Sequence, residues 1–313
     1  MEQYFKPINP NTANSRGSGR YDINIEKIKS TDTIPAILII DSSKRNRDEY
    51  ENPGRYTVQL PTVYTDVISI ELVQANIPNS AYSINARNNL ITFNYDNDDD
   101  GTTETYTATL NHGNYNETTI TTEISNAIDA LFPERTQPTN SFNVEYNYVT
   151  QRLSISTPKR QIDNINLQTN KEITLVAGRG GGADRIIGLG SSNVSSVDSN
   201  LTLPYSLSLK PDRYVVMHIL GMERCDGNSN ALSKCFCTIP VDSSSPNSDF
   251  TIKSGNIIDN DNYICYFSEP IPKLKKLDIT FYSPDGTIYD FNGRDHFLVF
   301  EITCLSRPTK LRS

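Results

Sequence analysis

The last long segment of the sequence, residues 273–304, constrains the fold more than any other part of the chain. Within it Leu277, Ile279 and Phe281 alternate with more polar residues, which is the period of two expected of a half-buried β-strand. A Pro-Asp-Gly turn follows at 284–286, and residues 297–304 are then apolar on nearly both faces. Such a strand belongs in the middle of a sheet. Because the chain ends in its most buried strand, the sequence predicts one β architecture built from non-local contacts.

The amino-acid composition also favours strands and turns. The 313 residues include 17 Tyr and 11 Phe but no Trp, set among many Ile, Val, Thr, Asn and Ser. The formal net charge of −8 argues against a nucleic-acid groove, because phosphate binding requires concentrated Lys and Arg. We therefore expect a mainly β protein that has no nucleic-acid partner.

The cysteines and the apolar runs indicate the cellular compartment in which this chain would fold. The five cysteines are odd in number and far apart, and we expect no signal peptide because the N-terminal segment is polar. Reduced thiols in a reducing compartment are the simpler expectation. No run of 18 or more apolar residues occurs, so the sequence predicts no membrane-spanning segment.

Polarity divides the chain into an arm, a body and a tail. Residues 1–33 are polar without apolar periodicity, which predicts a flexible N-terminal arm, either disordered or ordered against a neighbouring subunit. Residues 34–305 form the predicted β body, and residues 306–313 form a basic C-terminal tail. Successive short strands with tight connections favour an antiparallel meander or a Greek key. The first four strands are predicted at 36–40, 56–60, 67–76 and 90–95.

Two segments of the body depart from simple alternation. Residues 36–40 are apolar throughout, which indicates a strand that is covered on both faces. Between residues 120 and 131 apolar residues recur at helical spacing, with Asn116 as a suitable N-cap and Pro133 as the terminator. A strand pair around one amphipathic helix predicts a helix-containing insertion near residues 111–190, or a small subdomain.

Two loops resemble ligand sites, but each has a simpler explanation. The segment Asp96–Gly101 spaces its carboxylates as a calcium loop does, but the twelfth position is Thr107 instead of Glu, so we expect an acidic hairpin tip. Residues 178–183 match the spacing of a dinucleotide fingerprint. However, Gly188 and Gly190 interrupt the helix that would bind a phosphate, and we expect a surface loop.

The cysteines and histidines offer little support for metal binding or catalysis. Cys235 and Cys237 would face the same side of a strand near His218, where small buried thiols are a simpler expectation than zinc ligands. Asp295 and His296 could be half of an acid–base pair, but a histidine hydrogen-bonded at the entry of a strand is the plainer interpretation. We expect no enzyme activity, no metal and no cofactor.

Two blocks of the sequence carry a family resemblance. The first is residues 39–84, with Asp41-Ser42, Leu60-Pro61 and Ile77-Pro78-Asn79 among its markers. The second is residues 266–302, where a Pro-rich turn leads to a Leu-x-x-Leu strand, an Asp-Gly hairpin, Tyr-Asp-Phe-x-Gly and Asp-His. Both blocks resemble minor capsid proteins of large icosahedral double-stranded DNA viruses of algae and protists. These viruses are the chlorovirus-like nucleocytoplasmic large DNA viruses.

The resemblance implies a fold and a role. The implied fold is a jelly-roll type antiparallel β-sandwich, here with one inserted amphipathic helix and the extended N-terminal arm. The implied role is a structural minor capsid protein in the inner layer of the virion, assembled in the host cytoplasm. It would cement major capsid capsomers, contact other minor capsid proteins or further copies of itself, and lie close to an internal membrane without spanning it. The resemblance implies no catalytic residue.

Basic residues outside the predicted core are the candidate inter-subunit contacts, because acidic side chains of a neighbour or lipid headgroups could bind them. The simpler explanation for these residues is that they are solvated surface charges without a partner. The candidates are Lys44, Arg45, Arg47 and Arg55 in and after a polar excursion, Lys273, Lys275 and Lys276 near the last strands, and Arg307, Lys310 and Arg312 in the tail.

Two other roles stay open from the sequence. One is a vertex, or penton, protein, because a jelly roll fits either position in a shell. The other is a carbohydrate-binding β-sandwich of the virion surface, which would gather aromatic residues such as Tyr82, Tyr95 or Tyr205 on a loop-rimmed surface.

Overall fold

The computed structural model describes residues 32–96, 102–133, 141–158, 171–209, 212–241, 249–253 and 263–306. The predicted N-terminal arm and the basic tail therefore lie almost wholly outside the described residues. Most of the acidic Asp96–Gly101 segment lies outside them too.

The described residues form sixteen strands and two α-helices. The strands are β1 (Thr33–Asp41), β2 (Arg55–Tyr64), β3 (Val67–Pro78), β4 (Leu90–Tyr95), β5 (Glu104–Thr109), β6 (Asn143–Asn147), β7 (Arg152–Ser156), β8 (Ile173–Leu175), β9 (Val194–Ser195), β10 (Asn200–Thr202), β11 (Tyr214–Ile219), β12 (Cys237–Pro240), β13 (Asp249–Lys253), β14 (Ile264–Ile271), β15 (Leu274–Tyr282) and β16 (Phe297–Leu305). The helices are α1 (Glu117–Asp129) and the single turn α2 (Asp184–Ile187).

Two antiparallel sheets build the main domain. The first has the order β1-β16-β3, with β13 and β14 both paired to β3, and the second has the order β12-β11-β15-β2. If β13 and β14 are counted as one position, the eight strand positions run 1-8-3-6 in one sheet and 5-4-7-2 in the other. That order is a jelly roll, a sandwich of two Greek keys. The predicted fold class is confirmed.

The core of the jelly roll lies between the two sheets. The first sheet contributes residues such as Ile70 and Phe300, the second contributes residues such as Val215 and Phe281, and all four are fully buried. The predicted central position of the last strand is also confirmed, because β16 lies between β1 and β3. Alternate residues of β16 point into this core, as the period of a strand requires.

The strand β1 differs from its prediction. It lies at the edge of the first sheet, and within the described residues it pairs only with β16. Leu38 and Ile40 point into the core, whereas Ile37 and Ile39 are 57% and 61% exposed on the outer face. Among the described residues the expectation of cover on both faces was therefore wrong, because these residues cover only the inner face of β1.

The second unit is inserted between β3 and β11, at residues 79–213. Its sheets have the orders β5-β4-β8-β9 and β10-β7-β6, and its buried residues form a cluster separate from the jelly-roll core. The predicted limits of the insertion, 111–190, are therefore too narrow. The alternation of residues 90–95 fits a strand in either unit, and only the pairing of β4 with β5 and β8 assigns it to the insertion.

Helix α1 of the insertion forms for the reasons visible in its sequence. The Asn116 side chain accepts hydrogen bonds from the backbone N–H groups of Thr118 and Thr119, which would otherwise lack helical partners. Ile120, Ile124 and Ile128 are spaced one turn apart and are buried against the sheets of the insertion. The predicted helix and its cap are confirmed.

The insertion contacts the jelly roll at the connection between β15 and β16. The hydroxyl of Ser80 donates a 2.6 Å hydrogen bond to the carbonyl of Phe291. The guanidinium of Arg87 forms an ion pair with Asp285 and also donates to the hydroxyl of Thr287. The two units are thus joined by polar contacts next to the chain crossing at residue 79.

Candidate assembly surface

The edge strand β1 is the most distinctive surface of the described chain. An edge strand presents backbone donors and acceptors on its unpaired side, and natural proteins usually protect such an edge with charges, prolines or a covering segment. Here Ile37 and Ile39 lie along it, and Ile34 at its start is 56% exposed. We call Ile37 and Ile39, together with the edge of β1 that is unpaired among the described residues, the β1 surface.

The apolar character extends from β1 across the outer face of the first sheet. Val299 on β16 lies opposite Ile39 and is half-buried. On β14, Cys265 points into the core, so the neighbouring Tyr266 points outward, and it is largely exposed. The outer face therefore offers apolar contact area beside an edge that can accept another strand.

A polar cluster holds the chain where β1 ends. Asp41 caps a short 3-10 turn by accepting a 2.9 Å hydrogen bond from the N–H of Ser43. The hydroxyl of Ser42 donates to Asp295, and the N–H of His296 donates to the same hydroxyl at 2.8 Å. These bonds fix the turn after β1 to the segment that enters β16.

The prediction that Arg45 contacts a neighbouring subunit was wrong, because its side chain is buried. Its side chain is only 3% exposed, and it forms an ion pair with Asp295. It also donates to the carbonyls of Ser42, Tyr50 and Glu51 at 2.7–2.9 Å. Five donors in a rigid fork suit a guanidinium to this task. Arg45 thus holds the polar segment after β1 together from its buried side, and its side chain is not available to a neighbouring subunit.

Asp295 and His296 do not act together as an acid–base pair. The Asp295 carboxylate faces Arg45 and Arg47, whereas the imidazole Nε2 shares a 2.8 Å hydrogen bond with the phenol of Tyr56. Burial lowers the pKa of His296 to about 3, so the ring is neutral at physiological pH. Nδ1 has no hydrogen-bond partner among the described residues. The plainer interpretation, a hydrogen-bonded histidine at the entry of a strand, is confirmed.

The other candidate basic residues differ in their surroundings. Lys44, Arg47, Arg55, Lys273, Lys275 and Lys276 are exposed. Arg47 forms an ion pair with Asp295, and Lys276 forms one with Asp278 at 2.9 Å. In the register of β2 with β15, Arg55 lies opposite Thr280 and Lys276 lies opposite Gln59, so both belong to the second sheet. Arg307, Lys310 and Arg312 lie outside the described residues.

A shallow polar groove of about 360 Å³ crosses the outer face of the second sheet. Thr57 donates a 2.6 Å hydrogen bond to Asp278 and accepts one of 3.0 Å from Tyr50. Hydrogen bonds from Thr57 and Lys276 lower the pKa of Asp278. The groove is also lined by Arg55, His218, Glu223, Thr280 and Tyr282.

The three tyrosines predicted for a carbohydrate surface differ in exposure. Tyr95 is buried in the core of the insertion, whereas Tyr82 and Tyr205 are exposed. The ring of Tyr205 lies against Gly190, where an added Cβ would come within 2.6 Å of it. The sequence missed Tyr50 and Tyr282, which line the groove, because their positions depend on how β2 and β15 pair.

The glycine-rich segment forms a loop ahead of the one-turn helix α2. The carboxylate of Asp184 accepts a 2.7 Å hydrogen bond from the N–H of Gly178, and Gly188 ends the helix with a positive φ of 86°. Gly178 and Gly180 are exposed, as expected of a surface loop.

The two neighbouring cysteines do not face the same way. Cys237 begins β12 and lies in the jelly-roll core. Cys235 precedes the strand and packs with Val216 and Ala231 in a small separate cluster. The expectation of buried thiols is confirmed for both, but their predicted common side was wrong, because regular alternation begins only at Cys237.

None of the helices in the described part of the chain has the length and hydrophobicity of a membrane span. Within the same residues, no group of three or more His, Cys, Asp or Glu side chains is placed to hold a metal ion.

Comparison with known proteins gives a similar solved structure and a family. The crystal structure of a selenomethionine-labelled mavirus penton protein is similar to 86% of this chain and 98% of that chain, with 11% identity and a TM-score of 0.48. The comparison with curated proteins gave no match. A family model described as a family of unknown function, DUF5901, matches residues 24–261 and 267–312. The match covers most of the sequence, and the chain belongs to the DUF5901 family.

Proposed function

We propose that this chain is a structural minor capsid protein, which cements major capsid capsomers from the inner side of an icosahedral viral shell. It would lie between the capsid lattice and the internal membrane, in a virion assembled in the host cytoplasm. The sequence resemblance of residues 39–84 and 266–302 to such proteins supports this role. Those two blocks supply the whole of β2, β3 and β15, most of β16 and the last three residues of β1. These strands pair with one another in the jelly roll.

The observation that carries the proposal is the β1 surface. Residues 36–40 have the pattern of a strand covered on both faces, yet the part of the chain that the structure describes covers one face only. An open edge beside exposed isoleucines is typical of a surface that another chain completes. The partners that fit are capsomers, other minor capsid proteins or a second copy.

Exposed basic residues beside the β1 surface support its role as a contact with a neighbour. Lys44 and Arg47 follow β1 directly and are exposed, so they lie where acidic side chains of a neighbour or lipid headgroups could meet them. Such contacts would add specificity more than affinity. The proposal needs no catalytic step and no cofactor.

The first experiment is electron cryo-microscopy of the virus that encodes this chain. We expect density for the jelly roll and its insertion in many copies beneath the capsomers. Density confined to the five-fold positions would instead identify a vertex protein. Absence of the chain from purified particles would overturn the structural role.

A charge placed on β1 tests the surface itself. The double variant Ile37→Lys and Ile39→Lys should fold normally, because both side chains are exposed, and should be lost from particles, because a neighbouring chain cannot cover two lysines without cost. Val149→Lys is the matched control, since Val149 is 92% exposed on the insertion. Normal incorporation of the β1 variant would remove this surface from the proposal.

The groove on the second sheet favours one other role, carbohydrate binding at the virion surface. Tyr50 and Tyr282 offer rings for stacking, and Arg55, Glu223 and Asp278 offer polar partners for hydroxyl groups. Binding on a glycan array that is lost in Tyr282→Ala would support this role. Silence on the array would count against it.

A further inference from the structure

Cys225 and Cys235 face each other across the connection between β11 and β12. The two residues form an isolated antiparallel bridge. The N–H of Cys225 donates to the carbonyl of Cys235 at 2.9 Å, and the N–H of Cys235 donates back at 3.1 Å. A pair that exchanges both hydrogen bonds has its Cα atoms about 5.5 Å apart, within the range of about 4.4–6.8 Å found in disulfides.

The thiols of this pair are also in contact. The Cys235 thiol has the Cys225 side chain as a hydrogen-bond partner, and burial raises the pKa of Cys235 to about 11. Cys225 is half-buried, whereas Cys235 is buried. A small oxidant can therefore reach the first sulfur, and the second is already beside it.

The other cysteines lack this arrangement. Cys237 and Cys265 belong to the buried core of the jelly roll, and Cys304 lies near the end of β16. Cys225 and Cys235 alone among the described cysteines face each other in a backbone bridge. The arrangement thus singles out one pair.

We propose that Cys225 and Cys235 are a dithiol that closes to an intrachain disulfide when the chain meets an oxidising medium. With oxidised glutathione, the Cys225 thiolate attacks the glutathione disulfide, forms a mixed disulfide and releases one glutathione. The Cys235 thiolate then attacks the Cys225 sulfur and releases the second glutathione. One dithiol is oxidised, one small disulfide is reduced, and the two thiol protons end on the released glutathiones or in solvent.

The disulfide would cross-link the connection between β11 and β12, which covers part of the second sheet. The connection packs Ala231 and Leu232 against Val216, and the Nε2 atom of His218 is 2.8 Å from the carbonyl of Ala231. It also supplies Leu220 and Glu223 to the polar groove. A covalent closure of this short ring restricts the unfolded chain and so stabilises the connection.

The test uses the full chain, first reduced and then equilibrated in glutathione buffers of increasing oxidised fraction. Free thiols are alkylated, and the protein is digested with trypsin and chymotrypsin. Trypsin cuts after Arg224 and Lys234 and chymotrypsin cuts after Phe236, so Cys225, Cys235 and Cys237 fall on separate peptides. Mass spectrometry should find the Cys225 and Cys235 peptides linked, with a loss of two hydrogens.

Variants supply the controls. Cys225→Ala replaces a half-buried side chain and should fold, but it should lose the link, whereas Cys304→Ala should keep it. Oxidation should raise the melting temperature of the natural protein by about 5 °C and leave that of Cys225→Ala unchanged. No linked peptide across the whole range of buffers, or a link from Cys225 to Cys237 instead, would overturn the proposal.

Discussion

The Nε2 atom of His296 lies 2.8 Å from the phenolic oxygen of Tyr56, and this hydrogen bond joins the two sheets of the jelly roll. Tyr56 belongs to β2 in the second sheet, and His296 immediately precedes β16 in the first. The imidazole also stacks on Phe291 at a centroid distance of 4.7 Å and meets Phe281 edge to face. Aromatic rings and a phenol thus surround a histidine that must stay neutral to remain there.

Stability should therefore fall in mild acid. The folded-state pKa of His296 is about 3, below the ordinary value of 6.5, because burial disfavours the charged ring. Between these values the unfolded chain binds the extra proton, so stability is full above about pH 6.5 and falls by about 1.4 kcal/mol per pH unit toward pH 3. Urea unfolding at a series of pH values measures this slope.

A pair of histidine variants separates this effect from general acid denaturation. His296→Gln should be less stable at neutral pH but should show a flatter dependence between pH 6.5 and 4.5. His112→Gln, at an exposed position, should keep the natural slope. An unchanged slope in His296→Gln would show that other groups cause the acid sensitivity; Asp295, Arg45 and Asp41 are the charges around the ring.

Two arginines that share one carboxylate should differ greatly in their effect on stability. Arg45 and Arg47 both pair with Asp295, but their side chains are 3% and 61% exposed. Arg45→Ala should cost about 3 kcal/mol, because Asp295 loses its buried ion-pair partner and the carbonyls of Tyr50 and Glu51 lose the guanidinium that donates to them. Arg47→Ala should cost less than about 1 kcal/mol. Chemical denaturation of both variants checks the difference, and equal costs would contradict the buried role of Arg45.

The two hydrophobic cores should respond separately to mutation. Ile124 in α1 is buried in the insertion, and Ile70 in β3 is buried in the jelly roll. Replacing either by Ala should cost about 2–5 kcal/mol, through lost burial and the cavity left behind. Hydrogen exchange followed by mass spectrometry should show faster exchange mainly in the unit that carries the change. Equal acceleration in both units would mean that they unfold as one.

Neutralising the basic trio near β15 should weaken assembly without unfolding the chain. Lys273, Lys275 and Lys276 are exposed, and the pair of Lys276 with Asp278 lies at the surface, so three changes to Gln should alter folding stability little. Incorporation into particles, measured by quantitative mass spectrometry, should fall. Arg152→Gln with Arg179→Gln, at exposed positions of the insertion, is the control, and normal incorporation of the trio variant would exclude that patch.

Local patterns in the sequence predicted several elements correctly. The run at 297–304 indicated a central strand, and β16 has two neighbours in its sheet. Asn116 and the spaced isoleucines after it indicated a capped helix, which forms as α1. In each case the signal lies within a few residues of the element, because strand alternation and helix caps depend on near neighbours in the chain.

Segments with similar sequence patterns take different positions in the fold, and only the tertiary structure shows which position each one takes. Residues 36–40 and 297–304 are both strongly apolar, yet β1 lies at an edge and β16 at the centre. The strand at 90–95 could join either unit, and its pairing with β5 and β8 assigned it to the insertion. Arg45 and Arg47 cannot be distinguished as isolated positions in a polar segment, and the fold buries only the first.

The sequence by itself thus determined that the protein is mainly β, where several of its strands lie and where the main helix begins, and its family resemblance implied the jelly-roll type sandwich. The tertiary structure alone decided which strand lies at the edge of the described sheet, which arginine is buried and which cysteines face each other. The physical reason is distance along the chain: the contact of Ser42 with Asp295 joins residues 253 positions apart. Local periodicity carries no information about such partners, whereas burial and edge exposure follow from them.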